Sequence, residues 1–414
     1  YPLIEVYAHS SNFLAERHNL SIQHYFFEQE IWDKFALPNI PLQRIYKSFN
    51  SSLSMKANWL RPDILSILNT SLKIFGSLTS KKDLVETQVD DLLLGPLIYN
   101  TYLRKFNLPT VNIRDVRLLL LLLETIILLR AAQKYFKEND VFAVFPGDVA
   151  YIYSGIIAKI ALSKDIPTFS IVESPSRIQR MGKEYYRRMP FWNYKTEFQK
   201  FSSKKRETSL KIAKKVLSRR LEGLADSSMP YMSKSSFTKS IIKSNILLQN
   251  HKKHILVLLH DFFDSPHIYR SMLFSDFWEW IYFTLREAEF TTYNWYIKPH
   301  PNSSNKNIEV IKKIMKRFPY IKFIESEASN KQLIDEGINA VFSVYGSAGH
   351  EFPYLGVPVV LAGDNPHINY NFTLTPKTID EYKIMIREAG HLNLNSDKDE
   401  IAEFFYMHFC HYGS

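Results

Sequence analysis

Residues 338–361, INAVFSVYGSAGHEFPYLGVPVVL, constrain this chain more than any other stretch. Ile338 to Val344 is an apolar run of strand length that comes after the turn Asp335-Glu336-Gly337. Tyr345-Gly346-Ser347-Ala348-Gly349 interrupts it with small residues, which let a ligand approach the backbone. His350 to Leu355 reads as a short helix, Gly356 as its C-terminal cap, and Val357-Pro358-Val359-Val360 as the next strand. A small-residue turn between a strand end and a helix start gathers unpaired N–H groups and suits an anion. Ser347 adds a hydroxyl there, and Glu351, one helical turn on, suits the hydroxyls of a ribose. An ordinary strand-to-helix turn of an α/β domain has the same pattern.

A second stretch adds weight to the anion site. Residues 294–302, NWYIKPHPN, form an aromatic strand that ends in Lys298-Pro299-His300-Pro301. The prolines stop the strand and hold a cation and an imidazole at its tip, an arrangement suited to a nucleotide phosphate.

KPHPN followed by SVYGSAGHEFPYLGVPVV resembles the donor-binding domain of GT-B glycosyltransferases of bacterial surface polysaccharides. Kdo-transferase-like capsule and lipopolysaccharide proteins are the nearest kind. The motifs cover roughly residues 255–365, and the N-terminal half matches by layout only. The resemblance implies an α/β fold with two Rossmann-like domains facing a central cleft. It makes His300-Pro301 the His-Pro pair of such enzymes, and Ser347 with Gly346 and Gly349 the phosphate turn, with Tyr345 beside them as a further donor-binding candidate. It also implies metal-independent chemistry with no cofactor beyond the nucleotide-sugar donor.

At 414 residues, with 45% hydrophobic side chains, the chain suits two ordinary domains. The expected division is residues 1–245 on the acceptor side, 246–398 for the donor, and a helix at 399–414 that crosses back. Cys410 is the sole cysteine, which rules out an internal disulfide framework and fits a reducing cytoplasm. The given residues contain no signal peptide. Leu118 to Leu129 is too short to span a bilayer and carries Glu124, so it reads as a buried helix. A net charge of +10 points to an anionic partner. With no nucleic-acid module in view, an anionic membrane surface and glycolipid are favoured.

Leu3 to Ala8 reads as a first strand, with Ser10 to Asn12 capping a subsequent helix and His9 as an acceptor-side candidate. Arg114 to Lys137 is a long apolar helix. Residues 140–170 read as a βαβ unit: Val141 to Phe145, the helix Tyr151 to Ser163, and Pro167 to Val172. That places Asp148 at a strand end, as an acceptor-side base or as a helix cap. Residues 177–224 are strongly basic, and Arg187 and Arg188 among aromatics suit docking on an anionic membrane. Ser227 to Ser244 reads as a linker. HDFFDSPH, residues 260–267, puts two acids and two histidines at a strand end. Asp264 and Asp261 are candidates for a catalytic carboxylate, while an Asx turn before Ser265-Pro266 also accounts for Asp264.

The expected activity is transfer of a sugar, from CMP-Kdo or a related ulosonic-acid donor, onto a capsule or O-antigen glycan. The expected place is the cytoplasmic face of a bacterial inner membrane. A UDP-sugar hexosyltransferase, a UDP-sugar 2-epimerase and a non-catalytic polysaccharide-assembly protein are the alternatives.

Overall fold

The computed structural model describes residues 2–25, 48, 54–55, 63–173, 176–183, 193–224, 236–237, 245–269, 271–300, 303–394 and 396–411. The chain forms two compact units, Tyr1–Thr101 with Asn112–Met189, and Tyr102–Val111 with Pro190–Ser414.

The first unit is mainly helical among its described residues. It opens on helix Pro2–His18, which replaces the expected strand at Leu3 to Ala8 and takes residues 9–12 into its interior. Ile4, Val6 and Tyr7 favour a strand locally, but no breaker comes after Pro2, whose missing N–H costs nothing in a first turn. The helix stops at Asn19, which adopts a positive φ of 52°. Helix Val116–Glu138 is capped by Asp115 and buries Leu118, Leu121, Leu122 and Ile126. Its buried Glu124 accepts a hydrogen bond from the Tyr153 hydroxyl at 3.0 Å. Among the described residues no helix is long and apolar enough to cross a membrane.

The expected βαβ unit keeps its helix, Ile152–Ser163, but the strand at Val141 to Phe145 shrinks to one parallel bridge, Val144 to Thr168. The chain after it prefers a hairpin, in which β5 (Phe169–Glu173) pairs antiparallel with β6 (Ser176–Arg180). Among the described residues before these, the strands are two residues long, β1 (His24–Tyr25) beside β2 (Ser54–Met55) and β3 (Gln88–Val89) beside β4 (Leu92–Leu93).

The second unit holds a five-stranded parallel sheet built from β7 (His254–Leu258), β8 (Asn294–Lys298), β9 (Lys322–Phe323), β10 (Ile338–Ser343) and β11 (Val359–Leu361). Their spatial order is β11-β10-β7-β8-β9. The strands read as unbroken apolar runs because both faces are covered. Ile255, Val257, Trp295, Ile297, Phe342 and Val360 enter one core, while Leu256, Tyr296, Val341, Val359 and Leu361 enter the other. That alternation is the two-residue strand period in three dimensions.

Helix Phe277–Ala288 covers the first core. Asp276 caps it by accepting from the Glu279 amide at 2.8 Å. Its Trp280 indole donates to the Tyr382 hydroxyl at 2.7 Å, so the buried polar atoms are satisfied. The basic helix Ser203–Leu221 belongs to this unit, where it packs on Lys398–Phe405. Arg187, Arg188, Pro301 and nearly all of the expected linker lie outside the described residues.

Candidate functional site

The chain enters the sheet at its centre with β7, moves outward through β8 and β9, then returns past β7 to β10 and β11. Direction therefore reverses between β7 and β10. In open parallel sheets, ligands bind outside the strand C-terminal ends at such a reversal. The expected donor residues come directly after β8 and β10, and the expected carboxylates after β7.

Lys298 ends β8 and is 1% exposed. Among the described residues no hydrogen bond or ion pair engages its ammonium. Burial lowers its pKa to about 8 against the opposing pull of Glu327 and Glu351. A buried cation without a contacting counter-charge is costly, and an anionic ligand would relieve that cost. His300, two residues on, keeps an edge open to solvent. Desolvation and the Lys298 charge still lower its pKa, opposed by Asp261 and Asp264. These four side chains thus share one electrostatic neighbourhood.

Asp264 is exposed, and its carboxylate accepts from the Ser265 hydroxyl at 3.3 Å; the Asx turn expected there does not form, because Pro266 two residues on has no N–H to donate. Asp261 is tied more firmly, since it accepts from the Phe263 amide at 2.9 Å. The backbone between them is held by the buried Asn307, which accepts from the Phe262 amide at 3.0 Å.

The turn after β10 is built by two residues that the sequence places in strand-end loops without giving them a role, His260 of HDFFDSPH and Asn365 of the loop Gly363 to His367. His260 stacks on Phe277 with ring centroids 4.5 Å apart. Its Nε2 accepts from the amides of Val344 at 3.3 Å and Tyr345 at 3.1 Å. An acceptor Nε2 requires the neutral ring protonated on Nδ1. Desolvation, with His300 nearby, lowers the His260 pKa to about 3 and keeps it neutral. Asn365 is also buried. Its oxygen accepts from the Gly346 amide at 3.2 Å, and its amide nitrogen donates to the Val344 and Gly363 carbonyls at 3.0 and 2.9 Å. A polar residue between Asp364 and Pro366, after a strand end, was the available signal for it.

Gly346 adopts a φ of +107°, with no atom within 4 Å of where a Cβ would stand. It is a glycine for its backbone, and the open space beside it is where a ligand can approach. Gly349 is a glycine for a different reason. A Cβ there would lie 2.6 Å from Cε1 and 2.7 Å from Nε2 of the buried His367. The packing on His367 therefore requires a bare Cα at this position. His367 is hemmed in by Phe372 and Phe404, so Gly349→Ala is expected to cost about 1–3 kcal/mol, measurable by urea denaturation.

Tyr345 turns into the core and donates its hydroxyl to the Pro266 carbonyl at 2.8 Å. Helix Ala348–Tyr354 is only seven residues with Pro353 inside, so its dipole is short. Glu351 is 4% exposed and engaged through both oxygens, with Arg220 Nε at 2.6 Å and the Ser347 hydroxyl at 3.0 Å. That internal pairing takes up the oxygens that a ribose was expected to meet.

Asp148 and His9 belong to the first unit, where both are exposed. Asp148 accepts from the Ala150 amide at 3.0 Å in a turn just before helix Ile152–Ser163. His9 sits within helix Pro2–His18, where a strand end was expected.

No family model matches the chain, and no curated protein matches it significantly. Among solved structures, the beta Kdo 2,4 transferase KpsC of Thermosulfurimonas dismutans is similar at a TM-score of 0.39 and 15% identity. That likeness covers 63% of this chain and 78% of the other. A UDP-GlcNAc 2-epimerase of Neisseria meningitidis is similar at a TM-score of 0.29 and 11% identity, over 94% and 91% of the two chains. At these scores neither likeness carries an argument. What stands on the geometry is an α/β protein whose parallel sheet gathers Lys298, His300, Asp261, Asp264 and the Gly346-Ser347 turn at its point of reversal.

Proposed function

We propose that this protein is a nucleotide-sugar-dependent glycosyltransferase of the GT-B kind, with its donor bound where β7 and β10 diverge. The observation that carries the reading is Lys298, a buried ammonium with no contacting counter-ion among the described residues. Beside an imidazole and an open glycine turn, it suits a phosphate. In the reaction, Lys298 and His300 stabilise the charge that builds on the departing nucleotide, worth most in a desolvated site. Asp264 is the carboxylate best placed to face the sugar, because it is exposed and within electrostatic reach of His300. The resemblance of the KPHPN and SVYGSAGHEF motifs supports a CMP-linked ulosonic acid such as Kdo as the donor sugar.

By the same reading, the acceptor is a capsule or O-antigen glycan at the inner face of a bacterial inner membrane, and the chemistry needs no metal. Asp148 and His9 stand on the acceptor side, and the basic stretch around Arg187 and Arg188 meets anionic lipid.

The test is calorimetric titration of CMP, CDP, UDP and GDP into wild type and His300→Ala. Selective CMP binding that weakens about tenfold in the variant is expected, the size of one charge-assisted hydrogen bond. UDP selectivity would move the donor to a hexose, and turnover of a free UDP-sugar without acceptor would identify an epimerase. No nucleotide binding at all would overturn the reading.

A further inference from the structure

Resting on the donor site just proposed, we infer that Ser347 recognises a ribose hydroxyl rather than a phosphate oxygen, and that Arg220 is the positioning residue that makes it do so. Arg220 comes from helix Ser203–Leu221, 131 residues away in sequence, and its Nε lies 2.6 Å from Glu351 Oε1. The two side chains are 6% and 5% exposed. The other Glu351 oxygen, Oε2, lies 3.0 Å from Ser347 Oγ. A carboxylate paired with a guanidinium has only lone pairs to offer, so the serine must be the donor in that contact.

A hydroxyl has one proton. Once that proton points inward to Glu351, Ser347 presents only lone pairs to the open space beside Gly346. Ionised phosphate also presents only lone pairs, and the two repel. A ligand hydroxyl, which brings its own proton, is accepted. Phosphate is left to Lys298 and His300. Arg220 has a second consequence here. Glu351 lies within electrostatic reach of Lys298, and its pairing with Arg220 leaves the lysine charge available to the ligand.

The isosteric change Glu351→Gln reverses the polarity. Its carbonyl still accepts from Arg220, while its amide donates to Ser347 and frees the hydroxyl proton to point outward. The test is calorimetry of inorganic pyrophosphate, and of CMP and UDP with their 2′- and 3′-deoxy forms, on wild type, Ser347→Ala, Glu351→Gln and Arg220→Lys. Wild type is expected to prefer one ribonucleotide over a deoxy form by about fivefold, the size of one hydrogen bond. Ser347→Ala should erase that preference and leave the pyrophosphate Kd within about twofold. Glu351→Gln should erase it too and tighten pyrophosphate about fivefold, a gain that structural damage does not produce. Arg220→Lys, which keeps the charge, should preserve the wild-type pattern.

Weaker pyrophosphate binding in Ser347→Ala, or no gain in Glu351→Gln, would overturn the inference while leaving the donor site standing. So would a wild type that ignores both ribose hydroxyls. A wild type that binds neither pyrophosphate nor any nucleotide would overturn both.

Discussion

Lys298→Met is expected to abolish nucleotide binding and, at neutral pH, to make the protein more stable. Both effects come from one buried charge. The folded protein holds the Lys298 pKa at about 8, down from 10.5, because burial disfavours the ammonium. Below about pH 8 the lysine is charged in both states, and the folded state bears the whole penalty. Between pH 8 and 10.5 the unfolded chain keeps a proton that the folded protein releases, so this contribution to stability rises with pH across that window. The shift corresponds to about 3 kcal/mol. Methionine has similar reach and no charge, so up to about 3 kcal/mol of stability should return at pH 7. Denaturant unfolding at pH 7 and pH 10 measures it, and the difference between wild type and variant should shrink at the higher pH. Calorimetry on the same variant should show the nucleotide Kd weakened at least about a hundredfold, as expected when a desolvated phosphate loses its cation. A destabilised variant, or one that binds as well as wild type, would refute this role for Lys298.

A second large effect is expected in acid. His260, His267, His350 and His367 are all held neutral in the folded protein, chiefly by burial. The pKa of His260 and of His367 falls to about 3, that of His267 to about 4, and that of His350 goes well below its ordinary 6.5. Once the pH drops under 6.5, the unfolded chain takes up protons that the folded chain refuses. Stability contributed by these rings is therefore full above 6.5 and lost as pH falls toward 4. Each costs about 1.4 kcal/mol per pH unit, and the four together about 5.5. A typical total of about 5–15 kcal/mol would be exhausted within a few units. Urea denaturation from pH 7.5 to 4.5 should show that slope. His367→Leu, at a buried Nε2 with no hydrogen-bond partner among the described residues, should flatten it by about one proton's worth and raise stability at pH 5. A flat profile down to pH 5 would contradict the neutral, buried state of these rings.

The protonation of His260 links this acid response to the site. Its Nε2 holds the amides of Val344 and Tyr345, so the turn that carries Ser347 loosens with the same titration. Nucleotide binding is thus expected to fail at the acid edge together with the fold.

The linear chain determined by itself where the parallel strands lie and which loops end them. β7, β8 and β10 are short apolar runs stopped by polar or proline-rich residues, and an unbroken apolar run of strand length with a breaker is local information. For that reason HDFFDSPH, KPHP and YGSAG could be read as strand-end loops, with Lys298, His300 and Asp264 in them. Local pattern misled where propensity conflicted with context. Leu3 to Ala8 is helix, with no breaker after Pro2, and Val141 to Phe145 supplies one bridge to Thr168, because β5 beyond it pairs along its length with β6.

Tertiary structure alone decided which partners these residues take. Strand order brings His260 after β7 against the amides after β10, and it sets Asn365 across the same turn. Packing puts His367 against the bare Cα of Gly349, so that glycine serves the core. Arg220 reaches Glu351 across 131 residues and so orients a serine it never touches. No spacing rule encodes such contacts, since they arise from how the sheet and its helices close around a shared volume, and a side chain's chemistry is set by whichever atoms fill the space beside it.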